Sequence, residues 1–259
     1  MLILNYSNKH ENLKQINFKH NRSLNYNLKQ ILKNKITSHL ISLENFDKGT
    51  LLIEEGKPVH GLYFIIKGKI KIFNTGYNQK NKTLRLLSKG DIVGLSSLNS
   101  PSYWASGLIV ENTEAYFVNL KNLEAILKSN NKLCILLIKS LAMRLRYYEI
   151  RQKHLCLFPT SERIIDALLL TAYKFGEITG PEMEISICTS RRDLAEFSNT
   201  SVNQTINTLN KLKDKNYITV DGKNIIIRKK KELINQLKQY SDSEKLTEEF
   251  NFYYPDLIY

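Results

Sequence analysis

The chain has no apolar run approaching the roughly 18 residues a bilayer crossing needs. Its opening Met1-Leu2-Ile3-Leu4 gives way to Asn, Lys and His instead of an extended apolar stretch. Neither a signal peptide nor a membrane partner is therefore expected. Cysteine is scarce: Cys134, Cys156 and Cys188 lie far apart with no C-x-x-C spacing. That argues against a zinc site, an iron-sulfur cluster or a disulfide framework, and for a reducing compartment. The five histidines, His10, His20, His39, His60 and His154, show no ligand spacing, so no metal is expected. Phosphate-cradling G-x-x-x-x-G-K and nucleophile-elbow motifs are both missing, no catalytic residue stands out, and an enzyme is not expected.

Acid is also in short supply. Thirty-eight Lys and Arg face 25 Asp and Glu, a formal net charge of +13, and a basic excess of this size points to a polyanionic partner, usually nucleic acid. Residues 189–231 hold ten basic residues against four acidic, and residues 1–40 hold seven against one. Residues 241–259 reverse the balance, with one against five. Charge alone leaves a generally solvated basic surface as an equal alternative. The skew of 29 Lys to 9 Arg, with abundant Asn, fits an AT-rich coding bias and carries no physical function. With 259 residues, 42% hydrophobic and 24% charged, the chain reads as about two ordinary globular domains.

Residues 1–44 form an Asn- and Lys-rich arm of little signal. From Leu51 short apolar runs alternate with glycines: Leu51 to Ile53, Leu62 to Ile66, Ile70 to Phe73, Leu84 to Leu87, Ile92 to Val93, Leu108 to Val110 and Tyr116 to Leu120. This pattern predicts an all-β domain over 45–120, with the glycines supplying turns. The period then changes to about 3.6. Leu133, Leu137, Leu141 and Leu145, with Leu136 and Tyr148 near the same stripe, predict a long helix from about Asn131 to Leu155 within a connecting segment, 121–157. Its apolar face must be covered, either by its own β-domain or by the same helix of a second chain. Pro159 breaks the run, and Thr160 or Ser161 is placed to cap a further helix ending at Gly176.

The stretch from Thr189 to Arg228 is the most specific. Ser190 is an N-cap for Arg191 to Phe197, and Ser198-Asn199-Thr200 makes a compact polar turn. A second helix from Ser201 to about Asn216 turns Thr205, Leu209 and Leu212 inward and Val202, Asn203, Gln204 and Asn207 outward. Tyr217 to Val220 and Asn224 to Ile227 flank Asp221-Gly222-Lys223, a hairpin signal. Together these make a winged helix-turn-helix over 158–240. Duplex affinity is dominated by phosphate neutralisation. Arg191, Arg192, Lys211, Lys223 and the basic cluster at 228–231, Lys229 and Lys230 included, are therefore assigned to phosphate contacts, and Ser190, Thr200 and Ser201 are further DNA-binding candidates. Val202, Asn203, Gln204 and Asn207 are assigned to the base-reading face, since amides can pair with adenine in the major groove.

A β-domain, a long helix and a winged helix in that order resemble the Crp/Fnr family of bacterial transcription regulators over about residues 45–240. The anchors are Gly61 to Lys71, Gly90-Asp91-Ile92-Val93-Gly94, Arg144-Leu145-Arg146 with Glu149, and the helix-turn-helix. The resemblance implies an α+β fold: a double-stranded β-helix, jelly-roll-like and of cyclic-nucleotide-binding type, a dimerisation helix, and the winged domain. It also implies a homodimer on a symmetric duplex operator and contact with RNA polymerase. Within the family the chain resembles the cyanobacterial global nitrogen regulator and its plastid-encoded relatives of red-algal type, through Val93 to Leu98, Leu141 to Leu145 with Glu149, and Leu168 to Gly176. The plastid stroma, or a bacterial cytoplasm, is the implied location.

Cyclic-nucleotide binders of the family carry a Gly-Glu pair and a later Arg. Here Leu95 stands at the Glu position and residues 102–106 read Ser-Tyr-Trp-Ala-Ser, so a cyclic nucleotide is not expected. The nitrogen regulator's resemblance implies 2-oxoglutarate, held by amides at Gly94, Leu95 and Ser96, by Arg144 and by Glu149. Its other carboxylate-binding arginine aligns with Trp104. Either Arg144 and the amides hold the ligand alone, or the effector has changed or been lost. The alternative is that Arg144 and Glu149 are plain helix-surface charges, Glu149 lying near Arg146 and Lys153. A haem-type axial role for His60 or His154 stands well behind a packed or exposed imidazole. The competing functional reading is a small-molecule sensor whose winged helix contacts protein instead of DNA.

Overall fold

Residues 61–75 form one strand although Gly68 interrupts them. The computed structural model describes residues 38–77, 79–179 and 184–239; the acidic-aromatic tail, 241–259, and nearly all of the expected arm lie outside them. Gly68 has φ +103°, and a Cβ there would stand 2.6 Å from Thr113 Cα. The glycine is therefore a close backbone approach within a strand and not the turn its position suggested. Tyr116 to Leu120 and Leu108 to Val110, two runs in sequence, likewise merge into one strand.

The strands are β1 (Ser42–Phe46), β2 (Leu51–Ile53), β3 (Gly61–Thr75), β4 (Asn81–Leu87), β5 (Ile92–Val93) and β6 (Ser106–Asn119). They form a six-stranded sheet in the order β1-β6-β3-β4, with β2 on β6 and β5 on β3. Helices α1 (Leu120–Ser129) and α2 (Asn131–Leu157) follow. Asn119 starts α1 by accepting from the Asn122 amide at 2.8 Å, a side-chain cap. Leu62, Phe64, Ile92, Leu95 and Val118 pack with Leu123, Ile126, Leu133, Leu136 and Leu137 in one core.

The chain divides into two compact units, 1–70 with 87–145, and 71–86 with 146–259. These limits differ from those read in the sequence. β1 begins at Ser42 and Ile41 is buried, so the β-domain takes in the end of the expected arm. The other division falls inside α2 because Arg151 and His154, both buried, are bonded to Asp166 of the C-terminal unit.

In the second unit, α3 (Thr160–Phe175) is followed by β7 (Glu177–Thr179), β8 (Glu184–Cys188), α4 (Arg191–Ser198), α5 (Val202–Asp214), β9 (Ile218–Asp221), β10 (Asn224–Ile227) and α6 (Lys230–Lys238). α3 lacks the expected side-chain cap. Pro159 occupies the N-cap, its carbonyl accepts from the Arg163 amide, and the Ser161 hydroxyl turns to Glu162. The wing is a four-stranded antiparallel sheet in the order β7-β8-β10-β9, larger than the expected hairpin. The Glu184-Ile-Ser-Ile-Cys188 alternation was the available signal for β8, one of its two extra strands. α6, also unforeseen, buries Leu233, Ile234 and Leu237.

Asp166 is fully buried in the apolar run of α3. Arg151 of α2 donates to its Oδ2 and also to the carbonyl of Phe197, the penultimate residue of α4. His154 Nδ1 lies 3.0 Å from Asp166 Oδ1, and its ring stacks on Phe158. Removing one partner of such a buried pair costs about 3–5 kcal/mol, because the other charge is stranded. Asp166→Ala should lower the denaturant-derived stability by that amount. Arg151→Met with Asp166→Leu should recover most of it.

Lys82 of β4 lies in the same unit, with its Nζ buried and, among the described residues, without a hydrogen-bond partner. Burial, then the charges of Arg151 and Arg163, pull the ammonium down to about 8. The unfolded chain thus binds more protons between about pH 8 and the ordinary lysine value, and stability rises with pH across that window. The thermal midpoint of the native chain should climb by about 2 °C or more between pH 8 and 10, measured relative to Lys82→Met. Parallel curves would refute the assignment.

Candidate functional site

The recognition segment is built by two caps. Ser190 Oγ accepts from the Asp193 amide at 3.0 Å and starts α4. Asn199 closes α4 in the left-handed conformation, φ 55°, as a short polar side chain allows. Ser201 Oγ accepts from the Gln204 amide at 3.2 Å, while Gln204 Oε1 accepts from the Ser201 amide at 3.4 Å and hydroxyl at 3.3 Å. This is a reciprocal capping box at the head of α5. Thr205, Leu209 and Leu212 are buried, Asn203, Gln204 and Asn207 are exposed on the opposite face, and Val202 is exposed at the first position of the helix, on the side of Leu209. Three of the four outward residues of the sequence reading thus share one surface. Gln204 differs in one respect: its carbonyl oxygen is engaged by the cap.

The wing tip is tied to the start of α4. The Thr189 amide donates to the Lys223 carbonyl at 2.9 Å, and Arg191 donates to the carbonyl of Gly222. Gly222 has φ 54° and occupies, with Lys223, the two-residue loop between β9 and β10. Ser190, Arg191 and Lys223 are thereby gathered at one edge of the helix-turn-helix, with Arg192 exposed on α4. Lys211 is exposed farther along α5. Lys229 and Lys230 are not with the wing tip. β10 runs away from the loop, and they stand past its far end, where burial and the charge of Lys231 lower the Lys230 pKa.

In the first unit, Gly94 has φ +88° and heads a short 3-10 turn, Leu95–Ser97. A Cβ on Gly94 would stand 2.8 Å from the Gly61 carbonyl, so the turn presses on the start of β3. Arg144 Nη2 donates to the Ile92 carbonyl at 2.5 Å, which brings this guanidinium to the strand leading into the turn. Ser96 is exposed there, whereas the Leu95 side chain belongs to the core. Glu149 is exposed five residues beyond Arg144, about 140° around the helix from it. Trp104 is 68% exposed, and its amide donates to Ser97 Oγ at 3.2 Å. The ring is therefore on the surface at the edge of the turn and not in the core.

His154 is packed and His60 exposed, and among the described residues no three His, Cys, Asp or Glu side chains cluster as metal ligands. Sequence reasoning missed the Arg151-Asp166-His154 group. A carboxylate amid Ile164, Ile165, Ala167 and Leu168 was its one visible sign, since a charge at a core position requires partners.

Residues 43–130 match the model of the cyclic nucleotide-binding domain, and residues 162–235 that of the Crp-like helix-turn-helix domain. The first of these marks the β-domain as the type that houses a small-molecule effector site. The "Anaerobic regulatory protein" of Bacillus subtilis is 28% identical over 190 residues, 73% of this chain and 80% of that protein. The "Global nitrogen regulator" of Nostoc sp. is 23% identical over 190 residues, 72% of this chain and 85% of that protein. A CRP/FNR-family transcriptional regulator from Thermus thermophilus shares the fold, with a TM-score of 0.68 at 16% identity over 77% of this chain and all of that one. Both matched domains, in this order around one long helix, make this chain a transcription regulator of the Crp/Fnr family.

Proposed function

We propose that the chain regulates transcription as a homodimer, each winged helix entering one half-site of a two-fold symmetric operator. The observation that carries the DNA reading is the exposed amide face of α5 beside the cations gathered at the wing tip. Asn203 and Asn207 are the foremost base readers. Arg191, Arg192 and Lys223 are phosphate contacts, with Ser190, Thr200 and Ser201 beside them.

The dimer reading rests on α2. Leu133, Leu136 and Leu137 are buried on the chain's own core, whereas Ile138, Leu141, Leu145 and Tyr148 are exposed at three- and four-residue spacing. The stripe thus divides between the two coverings open in the sequence, and its exposed part suits the same helix of a second copy. The reading extends to RNA polymerase as a partner and to a plastid stroma or bacterial cytoplasm as the location, through the family and the coding skew. Nothing in the molecule favours a winged domain that binds protein instead.

The effector reading is 2-oxoglutarate at the Gly94 turn, supported by Arg144 beside it and by the nitrogen-regulator relative. Leu95 in the core and Trp104 in place of a guanidinium speak against a cyclic nucleotide. Calorimetric titration of the purified chain should give saturable heat at or below millimolar 2-oxoglutarate, lost in Arg144→Met. No heat at that concentration would remove this effector.

The DNA reading is tested by gel shift on an operator selected from a random pool. Asn207→Ala should relax preference at one position of each half-site, costing about 1–3 kcal/mol on the selected sequence. Lys223→Ala should weaken all sequences alike and lower the salt slope by about one. Leu145→Asp should yield a monomer in sedimentation and abolish tight binding to the symmetric site. Wild-type chain that is monomeric, or that prefers no sequence, would overturn the proposal.

A further inference from the structure

The tip of the β3–β4 hairpin is a second basic element in the same unit as the winged helix. Residues 71–86 carry Lys71, Lys80, Lys82 and Arg85 and no carboxylate. The tip is ordered by its own hydrogen bonds: the Gly76 amide donates to the Lys80 carbonyl at 2.9 Å, the Gln79 amide to the Gly76 carbonyl at 3.0 Å, and Thr75 Oγ1 lies 3.2 Å from Asn81 Oδ1. Lys71 moors the hairpin to α4, with Nζ 2.6 Å from Asp193 Oδ1 and 3.7 Å from Glu196 Oε2. Burial raises the Asp193 carboxyl, but hydrogen bonds from Lys71 and Ser190, with the Lys71 charge, outweigh it and hold that group below its ordinary value. The anchor is therefore an ion pair at neutral pH.

Between the tip and the helix-turn-helix lies a cleft of about 580 Å³. Gln79, Lys80 and Asn81 line one side, and Arg192, Ser201 and Val202 the other. Ser201 and Val202 begin the helix whose outer face reads bases, so a duplex seated on that face passes its sugar-phosphate strand along this cleft. The tip offers it an exposed ammonium, Lys80, and an exposed amide, Gln79. Lys82 behind them has a buried Nζ without a hydrogen-bond partner among the described residues, and a nearby phosphate would favour its charged form. We infer that the hairpin tip, through Lys80 and Gln79, contacts the phosphate backbone of operator DNA beside the recognition helix, held there by the Lys71 pairing with Asp193 and Glu196.

This contact rests on the DNA-binding reading, and the test separates the two. Full-length chain is titrated with the selected duplex across a salt series. Lys80→Ala should weaken binding to every sequence by roughly threefold to tenfold and reduce the slope of log affinity against log salt by about one. Lys80→Glu should weaken it further, and Lys89→Ala, at an exposed lysine outside the hairpin tip, should change neither quantity. In a Lys71→Met background, which unmoors the hairpin, the Lys80→Ala loss should shrink. Wild-type binding with Lys80→Ala and Lys80→Glu unaffected would overturn the hairpin contact alone. A gain in affinity would overturn it too, the tip then competing with DNA or holding an acidic segment such as residues 241–259. Wild-type chain that shifts no duplex even at low salt would overturn the functional reading and this contact with it.

Discussion

A carboxylate in the middle of an apolar helix must be neutralised where it stands, and the second unit of this chain is arranged around that requirement at Asp166. Arg151 answers it from the long helix, His154 adds a second polar contact one turn later, and the same guanidinium reaches the carbonyl of Phe197 near the end of α4. Three helices that apolar packing alone would let slide are thereby registered to one another. The buried side chains of Ile164, Leu168, Leu194 and Phe197 on the two shorter helices add hydrophobic stabilisation, at roughly 1.5–3 kcal/mol for each large side chain. They are tolerant of shape, whereas the ionic group accepts one geometry. The first helix of the DNA-binding motif consequently takes its position from the last turns of α2.

Much of the fold was legible because its signals are local. The caps at Ser190 and Ser201, the left-handed Asn199 and the inward set Thr205, Leu209 and Leu212 each follow from residues within four positions of one another. Errors arose where distant chain decided the outcome. Gly68 reads as punctuation, yet it lies inside a strand because Thr113 of β6 crosses against it. The Leu stripe of α2 is continuous in sequence but divided in space, since only its first part meets the β-domain core. α6 went unseen because its opening lysines look like the close of a basic hairpin.

The candidate site divides in the same way. Its outward polar face was readable from period and polarity, while the grouping of cations was not: Arg191 and Lys223 meet through the wing loop, and Lys229 and Lys230 stand elsewhere despite lying in the same basic run. In the effector region, the resemblance named Arg144 and the Gly94 turn, and the structure brings the arginine to Ile92 just ahead of that turn. Glu149 is set apart by helix geometry, a separation that spacing alone already contains.

On the proposed DNA-binding reading, the reciprocal cap at the head of α5 limits how that helix can meet a base pair. With its oxygen turned back on Ser201, Gln204 has only its amide hydrogens left to offer outward. Such a side chain distinguishes acceptor-bearing edges, guanine O6 or thymine O4, from the exposed amino group of cytosine, and cannot clasp adenine from both sides. The rigidity that fixes the first helical turn thus also narrows the vocabulary of the residue at its third position.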